Sequence, residues 1–103
     1  MNTNYKVRYT LAAKEDLKRL FIFIAEQDLQ AAQRARKTIA TSIQVLEQFP
    51  FTCRKVANET NNQLLRELLI PFGNTGYVAL FEIEDSKTVT ILAVRHQREE
   101  DYH

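Results

Sequence analysis

Arg66, Arg95, His96, Arg98, Tyr102 and His103 fall in the second half of the chain, with Glu67 and Glu99 beside two of the arginines. Opening an RNA phosphodiester through its own 2′-hydroxyl calls for these kinds of group. Something must accept that proton, cations must steady the charge developing on phosphorus, and an acid must meet the departing 5′-oxygen. Histidine is the side chain type suited to serve as acid or base near neutral pH, which makes His96 a candidate for either role. Each residue also has a plainer role. Arg66 shares a strand face with Leu64 and Leu68 and is placed to pair with Glu82 on a neighbouring strand. Arg95, His96 and Arg98 stand where a strand returns to solvent. Without a partner for its second nitrogen, His96 is a surface histidine. Arg34, Arg36 and Lys37 read as the solvated side of a helix, and Cys53 as a small buried residue.

The elements that position these groups follow from hydrophobic periodicity. Tyr5, Val7 and Tyr9 alternate with Lys6 and Arg8, which predicts a strand with one wet face. From Leu11 the period lengthens, and Ala13, Leu17, Leu20, Phe21, Ile24 and Ala25 recur at three- and four-residue steps on an amphipathic helix. Asp28 stands at an N-cap position, and Ala32, Ala35, Ile39, Ile43, Leu46 and Phe49 continue a second stripe as far as Pro50. The short gap between the helices predicts an antiparallel hairpin. Residues 51–63 read as a polar surface loop. Strands are expected over 64–70, 75–83 and 87–95, joined by short turns into a meander. Tyr77, Ala79, Phe81 and Ile83 line one face of the middle strand, and Val78 and Leu80 the other. In the next strand Val89, Ile91 and Ala93 stand opposite Leu92 and Val94. A helix hairpin covers only one face of a sheet, so the other asks for cover from the tail, the long loop or a partner chain. Phe21 and Phe23 cannot both face the core, which makes Phe23 a candidate contact for a partner.

With 103 residues, 45% hydrophobic and 26% charged, the chain has the length and balance of one globular domain over 1–103, with 96–103 as a charged tail. Two Gly and two Pro imply long elements and few tight turns. A lone Cys53 forms no internal disulfide, and no spaced Cys/His set for zinc is present; no cofactor or metal is expected, and the setting is a reducing cytoplasm. The longest apolar run, Leu20 to Ala25, is too short for a bilayer. A net charge of +1 argues against coating nucleic acid by bulk electrostatics, and no direct sequence-specific DNA binding is expected.

Three segments in this order resemble the RelE/ParE toxin superfamily. Tyr9-Thr10-Leu11-Ala12-Ala13-Lys14-Glu15-Asp16-Leu17 is similar to its strand-to-helix junction. Leu65-Arg66-Glu67-Leu68, with Gly76-Tyr77-Val78-Ala79-Leu80-Phe81, is similar to its second and third strands. Ile91-Leu92-Ala93-Val94-Arg95-His96-Gln97-Arg98 is similar to its last strand and exit. The resemblance implies an α+β fold of order β-α-α-β-β-β, with the helix hairpin on one face of an antiparallel sheet. It also implies the toxin of a type II toxin-antitoxin, plasmid-stabilisation type of module, held by a cognate antitoxin and assembling into higher-order complexes with it. Antitoxin contacts fall on Phe21, Phe23, Val78, Leu80 and Leu92. Target contacts fall on Arg66, Arg95, His96 and Arg98.

The superfamily's ribonuclease branch cuts mRNA on the ribosome, and its ParE branch inhibits DNA gyrase. The ribonuclease branch usually carries an Arg just after the Tyr of the third strand. Val78 stands at that position here, and Arg54 and Lys55 alone represent a lysine-rich loop. Loss of a central cation weighs against cleavage, so the expectation is a binder of gyrase with no catalytic residues. The alternative is an endonuclease using Arg66, His96, Arg98 and Tyr102.

Overall fold

The computed structural model describes residues 4–56 and 64–97. Along the chain run β1 (Lys6–Tyr9), α1 (Leu11–Ala25), α2 (Leu29–Gln44), β2 (Arg54–Lys55), β3 (Leu65–Phe72), β4 (Thr75–Ile83) and β5 (Thr88–His96). Single 3-10 turns lie at Val45–Glu47 and Pro50–Thr52. The five strands form one sheet in the order β1-β5-β4-β3-β2. The helix hairpin and the meander are as expected, but the sheet is mixed. β1 runs parallel to β5, with Val7 opposite Val89 and Tyr9 opposite Ile91. Parallel neighbours need a crossover connection, and the helices with β2 to β4 supply it. Alternation reports which face a strand buries and is silent on direction.

Local chemistry explains the boundaries. Thr10 caps α1 by accepting from Ala13 N at 3.0 Å, and Asp28 caps α2 by accepting from Ala31 N at 3.1 Å. Ala32, Ala35, Ile39 and Ile43 form the buried stripe of α2. That stripe was expected to reach Phe49. The helix tightens after Gln44, however, so Leu46 stays buried while Phe49 swings out to 55% exposure. The segment expected to be loop from residue 51 instead opens with a 3-10 turn and the two residues of β2.

β3 and β4 join through Gly73-Asn74 alone, since Phe72 pairs with Thr75. Gly73 has φ 61°, the left-handed value that a II′ hairpin requires at its first central position. Counting from that turn, Pro71 and Gly76 form a non-hydrogen-bonded pair, so the missing N–H of Pro71 would have pointed away from β4. On that side β2 reaches only Glu67 and Arg66.

The register sorts the sheet into faces. Against the helices lie Arg66-Phe81-Ile91, Leu68-Ala79-Val94 and Ile70-Tyr77-His96; on the open side lie Glu67-Leu80-Ala93 and Leu69-Val78-Arg95. A bulge shifts β5 by one residue at Leu92, so Phe81 pairs with Ile91 and Leu80 with Ala93. Uniform alternation had put Ala93 with Val89 and Ile91, and Val94 opposite. The bulge reverses this, and Val94 joins Val89 and Ile91 at full burial.

β1 is too short to cover all of β5, and α1 closes the remainder. Thr10 N donates to Ile91 O at 3.0 Å, and the Thr10 hydroxyl donates to Leu92 O at 3.2 Å. Val94 N donates to Asp16 Oδ2 at 2.9 Å. Two side chains thus satisfy strand-edge groups that would otherwise invite another chain.

Candidate functional site

Arg66 stands on the covered face at 9% exposure. Its Nη1 donates to Phe51 O at 3.1 Å and Cys53 O at 2.8 Å, and its guanidinium lies 5.2 Å from the centre of the Phe51 ring. It therefore fastens the segment after α2 to the sheet. The expected pairing with Glu82 is not formed this way: Arg66 faces Phe81 in the register, and Glu82 lies on the other side of β4. Glu67, the adjacent candidate base, holds Arg54 Nε at 2.9 Å. Burial pushes the Cys53 thiol upward, against the lowering pull of the Arg66 charge, so a thiolate is disfavoured near neutral pH.

His96 occupies the far end of the same face. Its Nε2 lies 3.0 Å from the Thr75 hydroxyl, and its ring meets Tyr77 edge-on at 5.4 Å. Phe72 continues the aromatic contact, 6.0 Å from Tyr77. An open groove of about 770 Å³ runs here between α1 and the β3-β4 hairpin, with Arg19, Phe23, Ile24, Thr75, Tyr77 and His96 among its walls. Phe23 is 65% exposed beside it, whereas Phe21 is half-buried with Arg36 6.0 Å from its ring centre. Phe21 and Phe23 thus divide between core margin and solvent.

Arg66 and His96 do not converge. They sit on opposite neighbours of β4, at the levels of Phe81 and Tyr77. Strand geometry places their backbones roughly 13 Å apart along the sheet and roughly 10 Å across it. Arg95 is exposed and paired with Val78 on the open face. Val78 and Leu80 there are half-buried, as is Leu92 at the bulge. Arg98, Glu99, Tyr102 and His103 lie outside the described residues. Among the described residues, no cluster of His, Cys, Asp and Glu could hold a metal, and no helix is long and apolar enough to cross a membrane.

The sequence profile of the ParE toxin of type II toxin-antitoxin systems, parDE, matches residues 7–101. The chain belongs to this family. This ParE-family chain is 29% identical over 96 residues to Toxin RelE1 of Caulobacter vibrioides, across 93% of its own length and 97% of the relative's. A chain of the chromosomal ParDE toxin-antitoxin system of P. aeruginosa superposes with a TM-score of 0.73 at 18% identity, over 92% of this chain and 98% of that one. A chain of the RelBE2 toxin-antitoxin complex of Mycobacterium tuberculosis gives 0.46 at 24% identity, over 91% and 99%. The match at 0.73 shows the same α+β architecture.

Arg19 and Thr75, two walls of the groove in this ParE-family chain, were not singled out in the sequence. The signal for Thr75 was the hairpin turn, which puts it two residues from Tyr77 and so near whatever faces Tyr77 from β5. Naming that residue as His96 required knowing of the bulge. Arg19 is four residues before Phe23, on one side of α1, but nothing in the helix pattern sets an exposed arginine apart.

Proposed function

We propose that this ParE-family toxin acts in the cytoplasm by binding DNA gyrase, with no bond-making chemistry of its own, and that a cognate antitoxin neutralises it. The observation that supports this reading is the scatter of the candidate catalytic groups among the described residues. Arg66 is spent on two carbonyls, Glu67 holds Arg54, Arg95 lies on the other side of the sheet, and His96 stands some 16 Å from Arg66 by strand geometry. Cleavage of one phosphodiester needs such groups within about 3 Å of the reacting atoms. Binding needs only a shaped surface. Arg95 and His96, with Arg98 beyond, are the proposed target contacts.

The antitoxin would cover Phe23 and the margin of Phe21 on the helix hairpin, and Val78, Leu80 and Leu92 on the sheet. Toxin and antitoxin would then assemble further. A segment that folds as it binds suits both surfaces, because they lie on opposite sides of the sheet. The competing reading is an mRNA endonuclease built on His96, Arg98 and Tyr102. It draws on the position of His96 in an open groove.

Induction in cells lacking the antitoxin separates the two. Within minutes, chromosomal double-strand breaks and mRNA integrity are assayed in parallel. Breaks with intact transcripts are expected. Fragmented transcripts with unbroken DNA would overturn the proposal and make His96 a catalytic candidate.

A further inference from the structure

A second void, distinct from the proposed target contacts, lies between α1, α2 and the sheet. It encloses about 310 Å³, at the lower end of the sizes that hold small ligands. α1 supplies Leu17, Leu20, Phe21 and Ile24, while the apolar walls that α2 supplies before Ile39 are the small Ala32 and Ala35. Bulky residues on one helix facing alanines on the other leave the space open. Two of its walls are exposed cations, Lys18 and Arg36, which places them at the mouth. The remaining ionisable walls are the phenols Tyr9 and Tyr77, and among the described residues no carboxylate lines the cavity. Its inner side continues past Leu20, Ile24 and Tyr77, which also line the larger groove beside His96.

An apolar interior with two cations at the entrance suits one class of ligand. We propose that this cavity binds an aliphatic carboxylate, with the alkyl chain along Leu20 and Ile24 and the carboxylate between Lys18 and Arg36. Burial of the chain supplies most of the affinity. The two exposed cations select the charged head and add less. The assignment is independent of whether gyrase or mRNA is the target.

The test is a titration of the purified full chain with decanoate and with decanol, followed by calorimetry and by thermal unfolding. Saturable one-to-one binding is expected, with decanoate favoured roughly 3- to 5-fold, the range open to exposed charge pairs. Replacing both cations, Lys18→Gln with Arg36→Gln, removes that preference and leaves decanol binding unchanged. Ala35→Leu fills the cavity from within, and Ala40→Leu narrows it from an exposed wall; each weakens both ligands by on the order of 10-fold or more. Should Ala35→Leu unfold the chain, Ala40→Leu decides alone. Absence of saturable binding overturns the proposal. So does binding that both leucine variants leave intact, or a head-group preference that survives loss of both cations.

Discussion

Replacing Arg66 by Ala separates a structural arginine from a functional one. In the folded chain its Nη1 serves Phe51 O and Cys53 O, and the guanidinium stacks on Phe51. Hydrogen bonds from a charged donor contribute about 1.5–3 kcal/mol each, and the carbonyls left unpaired, being only part-buried, cost less than the about 1–3 kcal/mol of fully buried ones. Removing a 9%-exposed charge returns part of this, and a net loss of about 3 kcal/mol remains. In a domain of this size that lowers Tm by roughly 12–24 °C. Arg66→Lys keeps the charge but not the fork, so about half the loss is expected. Equilibrium urea unfolding of the purified chain measures the stability, and inhibition of gyrase supercoiling at a temperature where the variant is still folded measures the proposed function. The expected pattern is a large stability loss with inhibition retained per folded molecule. A variant within about 0.5 kcal/mol of the parent that no longer inhibits would refute the reasoning and return Arg66 to the target surface.

Asp16→Ala strands the N–H of Val94 and should cost about 1–3 kcal/mol by urea unfolding, while Asp16→Asn, which keeps an acceptor, should cost less. Gly76→Ala places a Cβ 2.3 Å from the Ile70 carbonyl oxygen and 3.1 Å from the Pro71 Cα, so backbone must move; a loss of about 2–3 kcal/mol is expected in the same assay. Phe23→Asp should leave stability within about 0.5 kcal/mol, because the side chain is largely in water. Affinity for the antitoxin, read by calorimetry, should fall at least 10-fold, as for an aromatic anchor. Stability should decline in alkali. Burial, and then the Glu47 carboxylate, raise the Tyr9 phenol above 10.0, and burial raises the Cys53 thiol above 9.0. Each contribution is whole below its unfolded value and lost as pH rises through the folded one. Tyr9→Phe should flatten the upper part of that decline in unfolding midpoints measured from pH 8 to 11.

Element types and most faces were legible because each buried stripe repeats its period many times. Ala32, Ala35, Ile39 and Ile43 name one side of α2 without help from the rest of the fold. What escaped depended on single residues or distant pairings. The bulge at Leu92 leaves no local mark, yet it brings Val94 and His96 to the covered face. The parallel pairing of β1 with β5 is invisible to alternation. Arg66 was singled out for its charge. Its two carbonyl partners were backbone atoms of a stretch read as loop, and no pattern of side chains announces a backbone acceptor. For the site, Phe23 was legible because it stands two residues from Phe21 and cannot share its helix face, while the groove beside it exists only once β3 and β4 turn at Gly73.

The same placements bear on the proposal that this fold, with arginines and a histidine on its sheet, binds rather than cuts. A catalytic cation must meet its phosphate at a fixed position with its donors free to face it. The structure directs Arg66 inward, against carbonyls that only a chain passing over β3 can present, and the bulge turns His96 toward Tyr77 and Thr75 while Arg95 beside it faces the opposite way. Moving Arg66 and His96 together would require sliding β3 against β5 across β4, which would break the registers that bury Phe81, Ile91 and Val94. The core therefore holds Arg66 and His96 apart. Arg95 and Phe23, by contrast, lie outside that constraint, and their exposure is what a surface built to engage partners requires.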